Sequence, residues 1–157
     1  MFTQTVEYAL RVAVRLAATD PEPQTADGLA VATRVPRAYL AKVVQAMVRG
    51  GVARSKRGVG GGVALSKPPE SLTILEIVNA VDPIQRINAC PLGIISHGRD
   101  LCPLHRRFDD ALAHVEAAFG STTLAEVIAE PSKSVPLCPF PNVKPKVARK
   151  TVGTATE

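Results

Sequence analysis

Val6, Ala9, Leu10, Ala13, Leu16 and Ala17 recur at steps of three and four, the spacing that gathers apolar side chains on one face of an α-helix. The pattern predicts a helix over about residues 3–18, ended by Asp20-Pro21-Glu22-Pro23. Thr25 is placed to cap a short second helix with Leu29, Ala30 and Val31 on its apolar side, and Arg34-Val35-Pro36 then turns the chain. A third helix carries Leu40, Val43, Val44 and Met47 and stops at Gly50-Gly51, where glycine tolerates the backbone angles that end a helix. Two short helices around a tight turn read as a helix-turn-helix, whose second helix can enter the major groove of DNA.

The period then changes. Val52 to Leu65 contains two short β-prone runs around the basic, glycine-rich tip Arg57-Gly58-Val59-Gly60-Gly61, which predicts a hairpin; placed directly after a helix-turn-helix, it is a wing. The glycines do not make a nucleotide-phosphate loop, because Val63-Ala64 stands where such a loop needs Lys followed by Ser or Thr. After Pro68-Pro69 a helix is expected over 71–81, with Leu72, Leu75, Ile77 and Val78 available to the core. Residues 83–101 lack periodicity and read as a loop. From Pro103 to Gly120, Leu104, Phe108, Ala111, Leu112, Val115, Ala118 and Phe119 fall on one face at coiled-coil-like spacing, a candidate dimer seam. A last helical piece runs from Thr122 to Ala129, and the proline-rich remainder is expected to be a flexible tail. The fold class is therefore mainly α with one small β-hairpin: a winged helix-turn-helix (1–83), a sensor loop (84–102), a long dimerisation helix with a short C-terminal helix (103–130), and the tail (131–157).

Charge narrows the function. The chain of 157 residues carries a formal charge of +5, and from Arg34 to Lys67 it has eight basic residues and no Asp or Glu. A surface of one sign spanning the predicted helix-turn-helix and wing points to a polyanion. Arg37 and Lys42 on the recognition helix are long donors for guanine edges or phosphates, and Tyr39 adds a hydroxyl and an apolar ring. Arg54, Ser55 and Lys56 suit phosphates, and Arg57, beside Gly58, can approach a narrow minor groove. No apolar run approaches the ~20 residues that cross a bilayer, and the first residues lack a signal-peptide pattern, so a cytoplasmic, non-membrane protein is expected. The scattered carboxylates and the absence of a Ser-His-Asp order argue against an enzyme.

The cysteines pose a separate question. Three of them, Cys90, Cys102 and Cys138, cannot all pair within one chain, and a reducing compartment disfavours structural disulfides. Cys90 and Cys102 are separated by eleven residues, and His105 follows Cys102 by about one helical turn. Two thiolates and an imidazole near one helix end suit iron or zinc. A reversible Cys90-Cys102 thiol switch and structural cysteines, with or without zinc, stay open beside a cluster. A further alternative is a metal-binding module that meets other proteins through the helix carrying Phe108. It predicts salt-insensitive binding, whereas DNA binding weakens steeply with salt.

The run Tyr8-Ala9-Leu10-Arg11, the segment Tyr39-Leu40-Ala41-Lys42-Val43-Val44-Gln45 and above all the wing Arg54-Ser55-Lys56-Arg57-Gly58-Val59-Gly60-Gly61-Gly62 resemble the Rrf-two family of bacterial winged-helix transcription regulators over residues 3 to about 130. The resemblance implies a homodimer on a palindromic operator in double-stranded DNA, with recognition helices in successive major grooves and Arg57 in the minor groove. Pro36 departs from the Ser or Thr that caps the recognition helix in many relatives, yet proline is compatible with a helix start. The resemblance also implies an iron-sulfur cluster, 2Fe-2S rather than 4Fe-4S, sensing redox state, nitric oxide or iron-sulfur status. In the family's iron-sulfur cluster regulator the outer two of three cysteines have the separation seen here, with a histidine ligand three residues beyond the last. Ser96 stands at the middle position, so the implied set is Cys90, Cys102, His105 and Glu7 of the other chain, which matches an acidic cluster ligand of the nitrite-sensitive repressor. His97 reads as a loop residue, His114 as surface or packing, and Cys138 as a tail residue outside the ligand set.

Overall fold

A computed structural model of the chain describes residues 2–93 and 101–131. The expectations for Ser96, His97, Cys138 and the tail lie outside these residues. The described chain forms α1 (Gln4–Ala18), α2 (Ala26–Thr33), α3 (Arg37–Arg49), β1 (Ala53–Lys56), β2 (Gly62–Leu65), a 3-10 turn at Pro69–Ser71, α4 (Ile74–Val81), α5 (Pro103–Ser121) and α6 (Leu124–Ala129). This is the mainly helical, single-hairpin architecture that the periodicities imply. No described helix is long and apolar enough to cross a membrane.

Helix α1 is the centre of the molecule. Its face of Val6, Ala9, Val12, Ala13 and Leu16 is buried, and it packs against α2, α3, α4, α6 and β2. Ala9 and Ala13 are fully buried on this face, and Leu29, Leu40, Met47, Ile77 and Val78 join the same core with almost no exposure. Each such side chain contributes about 1.5–3 kcal/mol by leaving water.

The helix-turn-helix forms as the sequence dictates. Thr25 accepts a hydrogen bond from the Gly28 N–H at 3.1 Å and caps α2. The turn passes through Arg34 in the left-handed region (φ 54°), and Val35 is buried between the two helices. Pro36 stands at the N-cap of α3; its carbonyl accepts from the N–H groups of Tyr39 and Leu40, so the helix starts without a side-chain cap. Val31 departs from the expected apolar side of α2: it is 80% exposed, leaving Leu29 as that helix's buried anchor.

Strands β1 and β2 pair antiparallel, Ala53 with Leu65 through Lys56 with Gly62. The tip between them is built for glycine. Gly58 has φ +98°, and a Cβ on Gly61 would lie 2.3 Å from the Lys56 carbonyl oxygen. The wing is also anchored: Gln24 and Val63 exchange both backbone hydrogen bonds at 2.8 Å, joining β2 to the residue before the α2 cap.

Helix α4 begins three residues later than its periodicity suggests. Pro69–Ser71 takes the 3-10 turn, Leu72 is extended, and a capping box starts the helix at Ile74: the Thr73 hydroxyl accepts from the Glu76 N–H while the Glu76 carboxylate accepts from the Thr73 N–H. The buried set is accordingly Leu72, Ile74, Ile77 and Val78, with Leu75 half-buried. Helix α6 repeats the device with Thr123 and Glu126 and starts at Leu124. The two caps sit back to back, because the Ile74 N–H donates to the Thr122 carbonyl and the Leu124 N–H to the Leu72 carbonyl.

Helix α5 is different. None of its nineteen residues is buried within the chain. Its C-terminal end docks through half-buried Phe119, whose ring centroid is 5.2 Å from that of Phe2. Towards its N-terminal end Leu104 and Phe108 are 62% and 58% exposed.

Candidate nucleic-acid interface and thiol site

The candidate DNA-contacting residues of the helix-turn-helix and hairpin are exposed: Arg37, Tyr39 and Lys42 on α3, and Arg54, Ser55, Lys56, Arg57 and Gly58 on β1 and the tip. The anchoring of β2 at Gln24 fixes the wing relative to α2 and hence to α3. Three of these side chains have partners that composition does not reveal. Arg37 forms an ion pair with Asp27 of α2 at 2.5 Å. The Arg54 Nε–H donates to the Leu65 carbonyl at 3.0 Å, laying that side chain along the hairpin. Tyr39 meets the buried ring of Tyr8 edge-on, with centroids 6.0 Å apart. The ring of Tyr8 in turn lies 6.0 Å from the Arg11 guanidinium, and Arg11 is hydrogen-bonded to Glu7 at 2.9 Å. Glu7 is thus an exposed α1 carboxylate at one end of a run of contacts reaching the recognition helix.

Cys102 occupies the N-cap of α5, with Pro103 in the first turn. Its Sγ lies 3.3 Å from His105 Nδ1, so the three-residue spacing does bring thiol and imidazole together. Cys90 sits in a turn closed by a hydrogen bond from the Gly93 N–H to its carbonyl. Both thiols are half-buried and free. Among the described residues no group of three or more His, Cys, Asp or Glu side chains converges on a point that would hold a metal ion, and Glu7 is engaged with Arg11. The donor chemistry suits iron, but one chain's described residues assemble only the Cys102-His105 half of a four-ligand set. His114 binds the Asp110 carbonyl of its own helix at 2.6 Å.

The loop bearing Cys90 is fastened to α5 by charge. Arg86 makes a two-pronged contact with Asp109, 2.6 Å at each prong, and a third bond to Glu116 at 3.0 Å; the Ile87 N–H donates to the same Asp109 carboxylate. The hydrogen bonds from Arg86, then that from Ile87, hold the Asp109 carboxyl down at about 2, and the two acids raise the Arg86 pKa. Nothing in the local pattern announces this clamp, whose members lie 23 and 30 residues apart. Asp27 and Gln24 carry no local sequence signal of their roles either; only Thr25, which accepts from the Gly28 N–H three residues on, marks the start of α2 beside them.

Comparison with known proteins bears on the family and the fold. The model of the Rrf2 family, described as an iron-dependent transcriptional regulator, matches residues 2–130. The chain belongs to the Rrf2 family. An HTH-type transcriptional regulator of Aquifex aeolicus is 27% identical over 131 residues, covering 82% of this chain and 91% of the relative. The HTH-type transcriptional regulator IscR of Cereibacter sphaeroides is 29% identical over 106 residues, covering 64% and 67%. Among solved structures, CymR, the global cysteine regulator of B. subtilis, superposes with a TM-score of 0.66 at 23% identity, over 81% of this chain and 95% of that one, a likeness of fold. The protein is thus an Rrf2-type transcriptional regulator and not an enzyme, with DNA as the partner its family implies.

Proposed function

We propose that this Rrf2 regulator works as a homodimer on a palindromic operator and adjusts its DNA affinity through the thiol-imidazole end of α5. The observation that carries the reading is α5 itself: a nineteen-residue helix with no side chain buried in its own chain, an exposed Leu104 and Phe108, and Cys102 paired with His105 at its first turn. A helix whose apolar stripe is covered within the chain only near Phe119 is stabilised when a second copy covers the rest. In the dimer two copies of α3 address successive major grooves, Arg37, Tyr39 and Lys42 facing bases and phosphates. Arg54, Ser55 and Lys56 meet phosphates, and Arg57, beside Gly58, enters the minor groove.

The donors suit a 2Fe-2S cluster held by Cys90, Cys102, His105 and Glu7 of the partner subunit. When bound, such a group supplies one-electron redox chemistry and reactivity towards nitric oxide, at a potential that non-cysteine ligands raise. The chain's own residues carry the consequence. Glu7 is bound to Arg11, and Arg11 bears on Tyr8, which touches Tyr39 of the recognition helix, so a Glu7 engaged as a ligand would give up Arg11 and disturb this run of contacts. The sensor thereby biases the position of α3 in the groove. A second reading, oxidation of the two thiols to a Cys90-Cys102 disulfide, is favoured by the lack of a third donor near Cys102 and His105 among the described residues.

Anaerobic purification of the full chain, followed by visible absorption and iron and sulfide analysis, tests the sensor. Colour with matching iron and sulfide is the expected result. A colourless, iron-free protein whose DNA affinity responds to oxidant and dithiothreitol transfers the role to the thiol pair. For the interface, Arg57→Ala should weaken binding strongly in a gel-shift titration against duplexes enriched from a random pool; wild-type affinity in that variant removes Arg57 from the minor groove.

A further inference from the structure

The stretch from Asp27 to Pro69 contains a single carboxylate, that of Asp27 itself, and it lies against the recognition helix. Asp27 is in the first turn of α2. Gln24, three residues earlier, is bound to β2 of the wing, so this turn is the junction of both DNA-facing elements. There Asp27 Oδ1 contacts a terminal nitrogen of Arg37 at 2.5 Å, with the two side chains 69% and 72% exposed. An acid beside a phosphate backbone is unfavourable, and its partner is one of the two basic side chains on the exposed face of α3 best placed for base contacts.

We propose that Asp27 is a specificity-determining residue: its carboxylate occupies the Arg37 guanidinium, withholding that charge from the phosphates of arbitrary DNA and yielding it to a guanine edge in the cognate sequence. The proposal rests on the reading of α3 and the wing as the DNA face. The physical basis is a ranking of contacts. An exposed ion pair is weak and screened by salt, yet its geometry is already formed, so a single phosphate at variable distance gains little by displacing it. A guanine offers Arg two acceptors in a matching plane, a stronger and directional contact. Asp27 therefore subtracts from sequence-independent attraction and leaves the base contact available. Its charge also favours the N-terminal end of α2, an effect independent of Arg37.

The test is a double-mutant cycle on the full chain, with a duplex of about 30 base pairs of mixed sequence and a duplex enriched from a random pool by the wild-type protein. Asp27→Asn should bind the mixed duplex about three- to tenfold more tightly, with the slope of log K against log salt steeper by about one phosphate contact, and the ratio of enriched to mixed affinity should fall. In the Arg37→Gln background the same change should bring no gain. An Asp27→Asn protein that gains nothing on mixed DNA, or that loses affinity for the enriched duplex alone, overturns the proposal in favour of a prop for Arg37. A gain that persists in the Arg37→Gln background overturns it in favour of simple charge removal. A wild-type protein that binds neither duplex removes the DNA reading itself. Both side chains are exposed, and unchanged far-UV circular dichroism verifies that the variants fold.

Discussion

The half of the molecule built from α1 to α4 and the hairpin, and the helix α5 that follows, treat their apolar faces in opposite ways. In the first, Leu29, Leu40, Met47, Ile77 and Val78 close on α1 within one chain. In the second, seven apolar residues are arrayed on one face and none is buried. The contrast teaches that hydrophobic periodicity reports a face to be covered and not what covers it. For α1 the cover is intrachain; for α5 the described residues supply it only around Phe119.

This contrast can be broken experimentally. Ile77→Ala removes a fully buried side chain and should cost about 2–5 kcal/mol by chemical denaturation, enough to threaten a fold of ordinary stability. Phe108→Asp changes a side chain of the same hydrophobic class on α5. It should leave far-UV circular dichroism unchanged while shifting sedimentation from dimer to monomer at micromolar concentration; a monomeric wild type, or an unaltered dimer, would mean that α5 is covered by something else. The smallest effect belongs to the Arg86 clamp. Asp109 titrates at about 2 in the folded chain against ~3.9 when unfolded, so its stabilising contribution is fully present above about pH 4 and is lost as pH falls through about 2. The gap in melting temperature between wild type and Asp109→Asn should therefore be open at neutral pH and close on acidification.

Most of the first half was legible because its signals are local. The three- and four-residue spacing in α1, Thr25 before α2, Gly50-Gly51 after α3 and the glycine-rich tip each act within a few residues. Leu72 is apolar and in phase with α4, which extends the periodicity past the true helix start that Thr73 and Glu76 mark with a capping box. Val31 follows the buried Leu29 by two residues, roughly 200° round the helix, so it falls on the outer face of α2 and is exposed. The clamps were illegible for another reason. Arg86 with Asp109, and Arg37 with Asp27, are pairs whose proximity exists only after helices have packed. At the site, the Cys102-His105 contact follows from helical spacing, whereas Glu7 is bound to Arg11 and joins no metal-holding group among the described residues.

The doubled cap at Thr73 and Thr123 has a consequence for dissecting the protein. Leu124, fully buried, belongs to the same core as α1 and α4, and the Leu124 N–H is spoken for by the Leu72 carbonyl. A fragment cut after the wing and α4, attractive as a minimal reagent for footprinting or crystallisation, would lose this plug and leave an apolar socket open to water. The terminus of choice for a shortened version lies beyond residue 130, not before residue 100.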